Sequence, residues 1–142
     1  MPNEIVLFIR VIAELVFILA ILRFFGKNGL IASIGVNLIL VSTFGAKLIS
    51  LFGFSTNVGN APYAAILFAI VLLVEHWGKR DAFRAMWIGF VAINFYILMG
   101  QLTVSYIGND SASKVDSAIG TLFDLVPLIA LGSMVAYLVA QS

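Results

Sequence analysis

Twenty-two residues from Leu30 to Leu51 carry a single charged side chain, Lys47. A helix needs about 20 mostly apolar residues to cross the hydrocarbon core of a bilayer. Comparable stretches recur at about 5–22, 62–77, 85–107 and 118–139. Hydrophobic residues make up 62% of the 142-residue chain and charged ones 11%, against about 45–50% and about 25% in soluble domains. A soluble fold of this size could not hide so much apolar surface from water. No run alternates as the strands of a membrane barrel do. The expected fold is therefore all-α and integral to the membrane: a polytopic bundle of about five transmembrane helices, with residues 1–142 as one membrane domain.

The expected breaks between spans carry recognisable turn chemistry. Gly26-Lys27-Asn28-Gly29 follows the first span, and Gly53 with Ser55-Thr56-Asn57 closes the second. Pro62 suits the first turn of the third helix. His76-Trp77-Gly78-Lys79-Arg80-Asp81 separates the third span from the fourth, and a polar loop from Gly108 to Asp116 precedes the fifth. Asp124 with Pro127 marks a candidate disruption inside the last span. Met1-Pro2-Asn3-Glu4 lacks the basic leader of a secretory signal, so the first span is expected to stay in the protein.

Orientation follows from Lys and Arg. Arg23, Lys27, Lys79, Arg80 and Arg84 flank the first and third loops, whereas Lys47 and Lys114 flank the second and fourth. This bias puts the first and third loops in the cytoplasm, the N-terminus outside and the C-terminus inside the cell membrane. Trp77 and Trp87 fit interfacial anchors.

Several functions are excluded by what the chain lacks. With no cysteine and one histidine, it offers no disulfide, thiolate nucleophile or multi-histidine metal centre. A net charge of +1 points to no nucleic-acid partner. Glu75 and His76 are a generic boundary pair without a nucleophile and base around them, so no catalytic residue, cofactor or metal is expected.

Polar residues inside the spans each need a reason, because an ionisable group at mid-membrane costs at least about 2.5–3.5 kcal/mol. Arg10 and Glu14 lie one helical turn apart, as an intramembrane charge pair or as charge lining a cavity. Lys47 can snorkel outward. Asn94, Gln101 and Ser105 recur at seven and four residues on one face of the fourth span, and Ser33 with Asn37 forms a smaller patch on the second. Such amides either hydrogen-bond between helices or read a polar planar solute with their paired donors and acceptors. Glu75 can pair with Lys79 four residues on or serve as a protonatable gate.

The stretch AIVLLVEHWGKRDAFRAMWIGF, from Ala69 to Phe90, resembles the signature of the vitamin-uptake-type transporters, which include the queuosine precursor transporters. Glu75, Trp77-Gly78, Ala82 and Gly89-Phe90 follow that signature in order and spacing. Phe52-Gly53-Phe54, Gly59-Asn60, Gln101, and Ala136-Tyr137 with Gln141 are similar to features flanking it. The resemblance implies secondary or facilitated uptake of a deazaguanine precursor of queuosine, and it implies Glu75, Gln101 and Gln141 as substrate-region residues. Asn94 joins them through its position on the face of Gln101.

The chain departs from the family pattern in places. An acidic position one turn before Glu75 is Val71, and a polar neighbour of the Glu is Val74. An Arg position after the proline is Leu128, and polar positions of the second span stand as Ser42 and Phe44. The sequence also ends at Gln141-Ser142, where family members continue. These exchanges suit a second reading, a non-transporting accessory subunit of a larger membrane complex. That subunit would turn Ser42, Gly45 and Ala46 toward a foreign helix. Transport predicts instead that Glu75, Asn94 and Gln101 share an aqueous cavity completed by a second copy of the chain.

Overall fold

In a computed structural model, residues 2–108 and 113–141 are described, without the side chains at 133, 134 and 136–141. The elements run α1 (Asn3–Phe44), β1 (Leu48–Leu51), β2 (Phe54–Asn57), α2 (Asn60–Trp77), α3 (Lys79–Val104) and α4 (Ser113–Gln141). All four helices are long and apolar enough to cross a membrane.

The first of them crosses twice. Arg10 and Phe44 lie 34 positions apart, about 51 Å along a straight helix. Yet the Arg10 guanidinium sits 5.5 Å from the centre of the Phe44 ring. The reversal occurs at Gly26, whose φ of 58° and ψ of −137° interrupt the helical backbone. Its two arms, α1a (residues 3–25) and α1b (residues 27–44), therefore form an antiparallel pair, and the bundle has five spans, as expected. Gly29 lets the arms close, since a Cβ there would meet the Ile21 side chain at 2.6 Å and the Ile21 carbonyl oxygen at 2.9 Å.

The second span ends sooner than expected. Helix stops at Phe44, and Leu48–Leu51, read from the sequence as the end of a helix, is instead β1. It pairs antiparallel with β2, Leu51 opposite Phe54. Phe52 and Gly53 form the two-residue turn with φ of 49° and 84°, the double positive φ of a hairpin turn that matches strand twist. The hairpin is fastened to the start of α1a: Asn3 Nδ2 donates to the Ser50 carbonyl at 3.0 Å, and the Phe52 N–H donates to Glu4 Oε1 at 3.1 Å.

The third expected loop shrinks to one residue. Gly78, at φ 90° and ψ 171°, ends α2 by donating its N–H to the Leu73 and Val74 carbonyls, and α3 begins at the next residue. Glu75 and Lys79 consequently stand on different helices, and the expected pair does not form. Among the described residues the ion pair that does form is Lys27 Nζ to Asp81 Oδ2 at 3.3 Å. It fastens the Gly26 turn to the start of α3, so the first and third loops share one membrane face. Being partly exposed, it contributes at most about 1 kcal/mol.

Packing centres on α1b. Ala61, Ala65 and Ala69 form a buried seam on α2, and Ala82, Ala85 and Gly89 form one on α3. Small residues at this spacing let helix backbones approach closely where no hydrophobic effect drives association. A Cβ at Gly89 would lie 2.6 Å from Leu38 Cδ1. α2 and α3 each pack more extensively on α1 than on each other. α4 continues as helix through Pro127 and starts at Ser113, so the polar loop ends earlier than Asp116. Residues 109–112 of that loop lie outside the described residues.

Candidate functional site

Glu75, Asn94 and Gln101 do not converge in one chain. Glu75 is exposed at the end of α2, on the Lys27–Asp81 face. Gln101 is 22 residues along α3 from Lys79, about 33 Å away in axial rise. Asn94 lies near the middle of α3, exposed, and its Nδ2 donates to the Phe90 carbonyl of its own helix at 2.8 Å. Gln141 is in the last turn of α4, where side chains lie outside the described residues.

Gln101 joins two helices. Its Nε2 donates to the Phe123 carbonyl of α4 at 2.8 Å. The Phe123 ring packs on Tyr96 with centroids 5.4 Å apart and lies directly over Gly100, where a Cβ would collide with it. Replacing Gly100 with Val is expected to lower stability by about 1–3 kcal/mol through overpacking. Thermal unfolding of purified protein measures this, together with faster proteolysis at the loosened α4.

The Arg10–Glu14 pair does not close within 4 Å; among the described residues only Lys27–Asp81 does. Arg10 turns instead to the π-face of Phe44, a favourable partner for a cation near an interface. Ser42 is buried inside the bundle, whereas Gly45 and Ala46 lie past the end of α1b in a turn. Gly45 meets Gly59, the residue just ahead of α2, where a Cβ would sit 3.2 Å from the Gly45 Cα. The small-residue seams on α2 and α3 were the packing surfaces that sequence reasoning missed, although their spacing of three or four residues was legible.

The buried polar patch is on α1b. Ser33 Oγ donates to the Leu30 carbonyl at 2.8 Å, and Asn37 Nδ2 donates to the Ser33 carbonyl at 3.0 Å. Asn37 is 0% exposed, and among the described residues its Oδ1 has no hydrogen-bond partner. Nearer the hairpin, the Thr43 hydroxyl donates to Ile39 and accepts from the Tyr96 hydroxyl at 2.9 Å.

Two cavities adjoin α3. One, of about 210 Å³, runs between α2 and α3 over a floor of α1b residues that includes Ile34 and Leu38. Its walls are apolar apart from Ser42 and the polar atoms of Tyr63 and Trp87. The other, an open recess of about 560 Å³, is lined by Arg80, Asp81, Phe83, Arg84 and Trp87. Among the described residues, no three acidic, histidine or cysteine side chains come together as a metal cluster would require.

One face of α3 thus carries Arg80, Arg84, Trp87 and Asn94 outward from the bundle, at a spacing close to whole helical turns, and leads on to Gln101 at the contact with α4. An amide exposed at mid-span has no water to satisfy it in lipid, and that of Asn94 donates to its own helix.

Residues 57–142 match the model of a family described as "Putative vitamin uptake transporter". The match begins at the last residue of β2 and takes in α2, α3 and α4. A "Probable queuosine precursor transporter" from Bacillus subtilis (strain 168) is 30% identical over 133 residues, 92% of this chain and 57% of the relative. The chain therefore spans a little over half the length of that relative. No solved structure matches it.

Proposed function

The chain belongs to the vitamin uptake transporter family, and from that premise we propose that it carries a small polar heterocycle into the cell. The solute class is a deazaguanine precursor of queuosine, as the name of the Bacillus subtilis relative suggests. Transport is secondary or facilitated. The observation that carries this reading is the family match across three of the five membrane spans.

The outward stripe of α3 supports a division of labour in which Asn94 and Gln101 form one wall of the solute path. A second copy of the chain supplies the facing wall. Glu75 stands at the cytoplasmic mouth, and Gln141 joins the path by family resemblance alone. On this reading the protein sits in the cytoplasmic membrane with the Lys27–Asp81 face inside and the N-terminus outside, in keeping with the distribution of cations.

Uptake of labelled deazaguanine by queuosine-deficient cells tests the proposal. Cells expressing the chain are expected to accumulate label and restore queuosine in tRNA. Asn94→Leu removes an amide that no other helix of the described chain holds, and it is expected to cut uptake about 5- to 150-fold, the worth of one buried hydrogen bond of about 1–3 kcal/mol. Its expression and oligomeric state should not change. Unchanged uptake in Asn94→Leu overturns the stripe as a solute path. Absent uptake from a well-expressed chain that purifies in fixed ratio with unrelated subunits overturns transport itself.

A further inference from the structure

The two cavities beside α3 share Phe83 and Trp87 in their linings and so adjoin as one amphipathic surface. Its open end is cationic. Arg80 and Arg84 are one turn apart on the exposed face of α3, and the carboxylate in the recess, Asp81, is already engaged by Lys27 at 3.3 Å. A ligand anion there meets two guanidinium groups and a neutralised carboxylate. Its other end is apolar, walled by Leu67 and Ile70 of α2 and by Phe90 and Ile93 of α3.

The apolar end lies within one leaflet. From Trp87 to Ile93 is six residues, about 9 Å of helical rise, inside the half-thickness of about 15 Å of a hydrocarbon core. Trp87 lies at the junction, 53% exposed, with its ring edge-on to Phe83 and Phe90 at 6.2 and 5.6 Å. Aromatic side chains of this kind settle at the boundary between headgroups and acyl chains.

The geometry points to a binding site for one anionic phospholipid, its phosphate held by Arg80 and Arg84 and one acyl chain laid in the groove between α2 and α3. Guanidinium suits the phosphate because its forked N–H donors match two oxygens at once. The occupied leaflet is the one on the Lys27–Asp81 side. This site is distinct from the solute path proposed above, because its inner walls offer almost nothing for a polar heterocycle to bind.

The test is native mass spectrometry of the purified chain with dioleoylphosphatidylglycerol, dioleoylphosphatidylcholine or inorganic phosphate. One phosphatidylglycerol is expected to be retained per chain, preferred over phosphatidylcholine by about tenfold or more, since each surface cation contributes strongly to anionic lipid binding. High salt should erase that preference in the unmodified protein, and R80Q/R84Q should erase it at low salt. Leu67→Trp, which fills the groove and leaves the arginines in place, should lower retention of the long-chain lipid. Equal retention of the two lipids by the unmodified chain overturns the headgroup assignment, as does full retention by a folded R80Q/R84Q. Displacement of lipid by free phosphate, or indifference to Leu67→Trp, overturns the lipid as occupant.

Discussion

Replacing Gly26 with Val is expected to strain the reversal between the first two spans and to destabilise the bundle without undoing the fold-back. At φ 58° and ψ −137°, Gly26 occupies a backbone region essentially reserved for glycine. Space is not the obstacle, because a Cβ there would meet nothing within 4 Å. The penalty lies wholly in the backbone and is about 1–3 kcal/mol for a residue held in such a region, with a β-branched side chain at the upper end. The alternative conformation is worse still. A straight 42-residue helix would be about 63 Å long, twice the thickness of the hydrocarbon core, and every later span would change sides. Thermal unfolding of the purified variant and labelling of a cysteine placed at Lys47 report the two effects. Gly120→Ala is the control, because that glycine also has nothing within 4 Å of its absent Cβ and lies in regular helix. It should leave stability unchanged or slightly raised.

Asn37 gives the second large effect, and the two substitutions there have opposite signs. Leucine is similar in volume, favours helix, and removes a carbonyl oxygen that is buried without a partner among the described residues. Such an atom costs about 1–3 kcal/mol, so Asn37→Leu is expected to stabilise the bundle. Aspartate keeps the shape but loses the donor that now bonds the Ser33 carbonyl at 3.0 Å, and it sets a carboxylate against that oxygen. Asp costs about 2.5–3.5 kcal/mol at a helix centre, where Leu gains a few tenths. The gap between the two variants should therefore reach about 3–4 kcal/mol. Equal thermal midpoints would show that water reaches Asn37. Uptake by the stabilised Asn37→Leu protein then reads whether the free acceptor is used during transport.

The spans were legible because each is a long, mostly apolar run, and the reversals were legible where glycine met polar residues, as at Gly26. The end of α1b was not. Leu48-Ile49-Ser50-Leu51 is as apolar as the helix before it, and a run this short has no periodicity to separate strand from helix. The signal lay further on, in Gly53 between two phenylalanines and the Ser-Thr pair that follows. Glu75 and Lys79 misled for a related reason: four-residue spacing implies contact only on a continuous helix, and Gly78 interrupts it. For Asn94 and Gln101, spacing revealed a shared face but not what each faces. Gln101 meets the Phe123 carbonyl of α4, while Asn94 bonds only its own helix. That difference depends on where α4 crosses, which no local pattern encodes.

The two hydrogen bonds from Asn3 and Glu4 to the β-hairpin bear on the order of assembly during synthesis. They join the beginning of the chain to residues 50 and 52, and everything they enclose has been translated by Asn57. A nascent chain halted just past that point already contains both arms, the Gly26 reversal and the clasp that holds their far ends together. Every group that latches this helical loop on its far side is thus encoded ahead of the first residue of α2.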